Sequence, residues 1–211
     1  MQFDLDRMAA ADRYELLLST VVPRPIALIT TLSADGRLNA APYSLFNVMG
    51  HDPAIVVVGV LPHLEGRRKD TGENILATDE FVVNLVSEPL AEAMNITCID
   101  APPDVDELAL ARLEAVPSVK VKPPRIALSP VAFECRLLTS LSFGPNQALV
   151  VGRMMHAHVM DEFVLDAKRG LVDTPALKMI GAMHGARWYA KTSDLFAMDR
   201  PTWAGWVKES P

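Results

Sequence analysis

The run Ala54-Ile55-Val56-Val57-Val58-Gly59-Val60, closed by prolines at 53 and 62, constrains this chain most. It is rich in β-branched residues, and it is far shorter than the ~20 residues that span a bilayer. It therefore reads as a strand buried on both faces. Further β-rich runs cover 26–32, 81–86, 132–139, 148–154 and 155–160. An extended segment over 38–48 follows a turn at Ser33-Ala34-Asp35-Gly36, and another turn falls at Gly144-Pro145-Asn146. Helical spacing appears within the first 22 residues (Leu5, Met8, Ala9, then Tyr14, Leu17, Leu18) and over 71–77, 90–95 and 107–113. Strands and short helices without regular βαβ alternation predict a β-barrel or sandwich with helical inserts.

The chain has 211 residues, half of them apolar, which predicts one domain over 1–211 with a substantial core. A net charge of −6 argues against a general nucleic-acid or anionic-membrane binder. Cys98 and Cys135 make neither a disulfide framework nor a four-cysteine zinc site, and Cys135 in its apolar run reads as a buried, inert thiol. The early residues place acids where a signal peptide has basic ones, so a cytoplasmic protein is expected. The segment from Gly170 onward carries all three Trp and little periodicity, and is expected to wrap over the core or a partner subunit.

Several sites of common chemistry are absent. There is no GxG, no GxxxxGK[ST] and no GxSxG in the sequence. His156 and His158 share a strand face with Asp161 nearby, and with His51 or His184 they offer a metal reading; the plainer reading packs one His at a strand end and leaves the other to solvent. Lys69-Asp70-Thr71-Gly72-Glu73-Asn74 opens a helix. Its unpaired N–H groups and dipole, with Lys69, Thr71 and Asn74 on one side, make an anion site, unless Asp70 or Thr71 simply caps the helix. Asn39-Ala40-Ala41-Pro42-Tyr43-Ser44-Leu45-Phe46-Asn47 suits either a flat heterocycle laid against backbone or an edge strand interrupted by Pro42. Arg24, held extended between two prolines, points into a site or into solvent.

RPIALITTLSADGRLNAAPYSLFN (24–47) and KDTGENILATDEFVVNLV (69–86) together resemble the flavin reductase-like family of FMN-binding split-barrel proteins. The resemblance runs on in the same order through 119–125, 129–135 and 149–152 to WYAKTSDLFAMDRP (188–201). It implies a mainly β fold, a six-stranded antiparallel split barrel of Greek-key type, with FMN near a homodimer interface. It also implies an FMN-dependent oxidoreductase, a flavin reductase passing a hydride from NAD(P)H to flavin, with a monooxygenase as a candidate partner. A non-enzymatic FMN-binding or electron-carrier protein of the same fold, and a metal enzyme built on His156 and His158, are the alternatives. Carried onto this chain, Lys69, Thr71 and Asn74 take the phosphate and ribityl end. Asn39, Ala41, Ser44, Phe46 and Asn47 take the ring and ribityl contacts. One departure stands out: relatives often carry Gly-Asp-His where this chain has Gly144-Pro145-Asn146-Gln147. Neutral amides there imply weak nicotinamide binding with little pH dependence near neutrality.

Overall fold

The computed structural model describes residues 1–62, 66–102, 104–144, 147–185, 187–203 and 206. In chain order the elements are α1 (Ala10–Thr20), β1 (Arg24–Pro25), β2 (Ala27–Leu32), β3 (Leu38–Tyr43), β4 (Phe46–His51), β5 (Ala54–Val60), α2 (Asp70–Thr78) and β6 (Glu80–Leu85). They continue with α3 (Ala91–Ile96), α4 (Glu107–Leu110), β7 (Ala115–Val116), β8 (Arg125–Ile126), β9 (Val131–Phe143) and β10 (Gln147–Val159). Short strands β11 (Val164–Asp166), β12 (Leu171–Val172), β13 (Ile180–Ala182) and β14 (Tyr189–Lys191) complete the chain.

The main sheet has seven strands in the order β3-β2-β6-β9-β10-β5-β4, not the expected six. Every neighbouring pair is antiparallel. Its two edges, β3 and β4, are not paired with each other, so the barrel is not closed by a ladder. They are nonetheless consecutive in the chain, joined only by Ser44 and Leu45. At ~3.6 Å per residue such a linker cannot bridge the ends of a flat sheet of this width, so the sheet must curl until its edges meet. The Gly59 N–H donates to the Leu45 carbonyl at 2.7 Å and fixes β5 against this crossing. The split lies along β3 and β4, on the stretch whose residue types suited a heterocycle.

Two apolar clusters hold the sheet. Ile29, Phe46, Val56, Val58, Ile75, Phe81 and Val150 fill the inside of the curl, with α2 contributing Ile75. Leu28, Leu90, Met94, Leu108, Ile126 and Ile180 pack on the opposite face of β2. Strands β2 and β6 are therefore the ones buried on both faces. Strand β5 instead alternates, with Val56, Val58 and Val60 inside and the residues between them half-buried. None of its residues belongs to the second cluster, which covers the outer face of β2.

Strands β9 and β10 are each 13 residues long, and β10 runs unbroken through Met154-Met155. Register shifts at Val151/Gly152 and Met154/His156 absorb the irregularity that reads as a break in the sequence. At Gly152 a Cβ would stand 2.4 Å from the ring of Phe81, so the close approach of β10 to this core ring requires glycine. Helix α1 starts at Ala10, later than Leu5 and Met8 imply; residues 5–7 form a turn instead, and the Arg13 guanidinium donates to the Leu5 carbonyl at 2.7 Å. In the C-terminal segment, β13 pairs with both β1 and β14, so residues up to Lys191 fold back onto their own body. From 191 to 203 every residue is exposed. No helix among the described residues is long and apolar enough to cross a membrane.

Candidate functional site

Helix α2 begins at Asp70, and the Lys69 N-cap makes no side-chain capping bond. Neither Asp70 nor Thr71 serves as the cap; Asp70 instead lies 3.4 Å from the Arg67 guanidinium. The positive end of the helix is thus left to whatever enters beside it. Thr71, only 1% exposed, accepts from Asn39 Nδ2 at 2.9 Å. Asn39 also reaches Thr31 at 3.3 Å, and Asn74 Nδ2 donates to that same Thr31 hydroxyl at 3.0 Å. This buried polar network ties α2 to β2 and β3 and fixes how Thr71 is presented.

Three hollows form a row along the split. The first, about 200 Å³, is lined by Asn39, Ala41, Lys69, Thr71 and Glu107, among others. The second, about 210 Å³, is lined by Tyr14, Ile26, Met94, Trp188 and Tyr189 and shares Pro42, Tyr43 and Cys98 with the first. The third, about 420 Å³, contains Leu45, Phe46, Asn47, Phe143 and Gln147 and shares Arg24 and Ser44 with the second. Seven of the eight residues picked from the sequence line this row. Asn74 does not line it; its amide faces Thr31, where it positions the helix. Asn146 lies outside the described residues, while Gln147 lines the third hollow.

Arg24 is 5% exposed and therefore not a solvated loop charge. Its guanidinium donates to the carbonyls of Leu18, Val21 and Met183, and its Nε lies 3.4 Å from Ser44 Oγ. It clips the end of α1 and the β13–β14 turn to the split, and puts a fixed positive charge in the wall common to the second and third hollows.

Two site residues escaped the sequence reading. Glu107, 7% exposed, accepts from the Ala40 N–H at 3.0 Å on the floor of the first hollow. Burial pushes its carboxyl pKa up. Tyr43 is 7% exposed and its hydroxyl has no hydrogen-bond partner among the described residues. Burial raises its pKa well above the ordinary phenol value, so it is a donor across the physiological range. Glu107 carried no signal beyond a helix start, and Tyr43 no signal beyond a β-rich stretch.

The histidine pair has another use. His156 and His158 do share a face, their ring centroids 4.8 Å apart. His158 Nε2, however, lies 2.6 Å from Glu134 Oε1. Glu134 is fully buried and also accepts from the backbone N–H groups of Val119, Lys120 and Val121. Burial alone would raise its pKa, but His158 and the backbone donors outweigh that and hold it below the usual carboxylate range. Among the described residues no three His, Cys, Asp or Glu side chains converge on one point. The pair anchors the 119–121 loop to β9. Cys135 is fully buried, and burial pushes its thiol pKa far up, in keeping with an inert core residue.

Comparison with known proteins agrees with this geometry. Residues 18–175 match the family described as flavin reductase like domain. A Bacillus subtilis protein, YwrF, is 40% identical over 205 residues, covering 95% of this chain and 98% of its own. The 2-nitrobenzoate 2-nitroreductase of Pseudomonas fluorescens superposes with a TM-score of 0.87 at 32% identity, covering 96% of this chain and 98% of that one. Component B of the Bacillus cereus nitrilotriacetate monooxygenase does so with a TM-score of 0.87 at 30% identity, over 94% and 98%. A match over most of the chain, in the order of the strands that build the split, leads to one conclusion: this protein is a member of the flavin reductase-like domain family.

Proposed function

We propose that the protein is an FMN-dependent oxidoreductase, a flavin reductase that draws its electrons from NAD(P)H, with residues 1–211 acting as one domain. The observation that carries this is the row of hollows: an uncapped helix start with Lys69 and Thr71 at one end and a flat, mostly apolar wall beyond it. Those parts fit a flavin mononucleotide. Its terminal phosphate suits the N–H groups and cation at α2, and its ring suits Ala41, Pro42, Ser44 and Phe46. When bound, the flavin supplies the redox chemistry, accepting hydride from a nicotinamide and passing electrons on. The chain's own work is to hold the phosphate with Lys69 and Thr71, to orient the ring against β3 and β4, and to exclude water with Trp188 and Tyr189. No side-chain acid or nucleophile is required, and none is assigned.

The chain has no GxG segment, so a nicotinamide has to stack directly on the flavin, and the third hollow, with Asn47 and Gln147, is the open side from which it would approach. Similarity to a monooxygenase component B supports delivery of reduced flavin to a partner monooxygenase. Anaerobic titration of the holoprotein with NADH and with NADPH tests this reading. Bleaching of the flavin band by one of them is expected; a band that resists both but yields to dithionite would favour the electron-carrier alternative.

We also propose a homodimer. The chain exposes 13528 Å², whereas a compact monomer of its 23.0 kDa exposes roughly 9,600 Å². The difference, roughly 3,900 Å² on one chain, is more than the roughly 1,000–2,500 Å² that each partner buries in an obligate interface, and the fully exposed 191–203 segment accounts for part of it. Leu195, Phe196, Met198 and Trp203 are each at least 65% exposed on a segment with no strand or helix of its own before residue 203. A run of large apolar side chains in the open marks a surface meant to be covered. Light scattering at micromolar concentration should give twice the chain mass; a monomer that still carries flavin would contradict the dimer.

A further inference from the structure

Arg24 is the one buried cation among the described residues. A guanidinium does not shed its proton, so burial leaves a full charge to be balanced. Its hydrogen bonds go to neutral oxygens, the carbonyls of Leu18, Val21 and Met183 and the Ser44 hydroxyl, and it makes no ion pair among the described residues. Leu18 and Val21 lie at the C-terminal end of α1, whose dipole offers about half a negative charge. About half a positive charge is left over. Glu134 shows the usual remedy, for that buried carboxylate has His158 and three backbone N–H groups around it. The third buried charged residue, Glu107, lines the first hollow, which Arg24 does not.

The two hollows that Arg24 lines differ in charge. Glu15 lines the second and repels an anion there. Among the described residues no acid lines the third, and Arg24 is its only charged group. The rest of that wall is apolar apart from Ser44, Asn47 and Gln147, and its volume of about 420 Å³ is that of a small-molecule site. Two donors remain at the Arg24 end. One is a guanidinium N–H, since four of the five are used; the other is the O–H of Ser44, whose oxygen lies 3.4 Å from Arg24 Nε. Two donors suit the two oxygens of a carboxylate, whereas a dianion brings more charge than this end balances. We propose that the third hollow binds a small apolar acid as a monoanion, its carboxylate against Arg24 and Ser44 and its hydrocarbon body on Leu45, Phe46 and Leu149. The role of that acid rests on the flavin reading, in which the third hollow is the open side of the ring and the acid is the second ligand to meet the flavin there.

The test is calorimetric titration of the flavin-loaded wild type with naphthoate, with its neutral isostere naphthamide, and with acetate, which has the charge without the ring. Naphthoate should bind about tenfold more tightly than either of the others. Its affinity should hardly change between about pH 6 and pH 8, because neither a guanidinium nor a carboxylate titrates there. Arg24→Gln removes the charge and should bring naphthoate down to the level of naphthamide; the wild-type comparison stands whether or not that variant folds. Equal binding of acid and amide overturns the proposal. So does acetate binding as tightly as naphthoate, or an Arg24→Gln protein that keeps the preference for the acid. It is also overturned if naphthoate does not bind while Arg24→Gln lowers the reduction potential of the flavin, since the reduced ring is then the missing counter-charge. A wild-type protein that takes up no flavin sinks the flavin reading instead, and the same titrations on it still decide whether the hollow takes the acid.

Discussion

Replacing Lys69 or Thr71 with alanine is expected to weaken FMN binding by roughly 10- to 150-fold in each case. This is the loss of one charge-assisted hydrogen bond, about 1.5–3 kcal/mol. The two positions act by different routes. Lys69 brings the cation to the start of α2, where the dipole already favours an anion and no side chain caps the helix. Thr71 is the fixed hydroxyl of the site, 1% exposed and oriented by Asn39. Thr71→Ser keeps that hydroxyl and should retain most of the affinity, which separates the hydrogen bond from the loss of a methyl. Titrating each apoprotein with FMN, with folding checked by circular dichroism, measures the effect. Unchanged affinity in both alanine variants would reduce the start of α2 to an ordinary helix end.

Glu134→Ala should destabilise the fold by about 3–5 kcal/mol, the cost typical of removing one side of a buried charged network. The carboxylate is fully buried, and its loss strands three backbone N–H groups and His158 at once. The native state holds this carboxyl below its usual pKa, so the unfolded chain binds the proton more tightly. The stabilisation is then present in full above the unfolded carboxylate value of about 4.3 and is lost as pH falls below it. Urea denaturation of wild type and variant from pH 7 to pH 3 should show a stability gap that narrows in acid. A difference under about 1 kcal/mol at pH 7 would mean that the 119–121 loop finds other acceptors.

What could be read from the sequence was what depends on neighbours along the chain. The β-rich runs and the short helix expected at 71–77 and found at 70–78 follow from local spacing, whereas the grouping of Asn39 with Lys69 and Thr71 was what the family resemblance implied; the structure brings those three to one hollow. What failed depended on the other side of the molecule. Whether Ala54–Val60 is covered on one face or two is set by what packs outside the sheet, and the second apolar cluster includes β2 but no residue of β5, which no property of the run encodes. The expected six strands came from the resemblance, and Leu38–Val48 reads as one extended segment, whereas Ser44-Leu45 divides it between opposite edges of the sheet. For Arg24 site and solvent stayed open, because its acceptors, the carbonyls of Leu18, Val21 and Met183, are generic backbone. His158 suggested a metal only while Glu134, its partner 24 residues away, passed as one residue of an apolar run. Glu107 and Tyr43 enter the site by the same kind of long-range meeting, which a single sequence does not display.

The most direct measurement is the identity and amount of flavin held by the purified protein. After reconstitution with a mixture of FMN and FAD, gel filtration and acid extraction, the chain should release FMN at about one equivalent per subunit. Its absorbance before extraction should show the flavin bands. A monophosphate is expected because the helix start beside Lys69 and Thr71 ends the row of hollows and suits a terminal phosphate. Release of FAD in place of FMN would contradict the assignment of that end of the site. No bound chromophore, or a stoichiometric transition metal without flavin, would contradict the flavin reading as a whole.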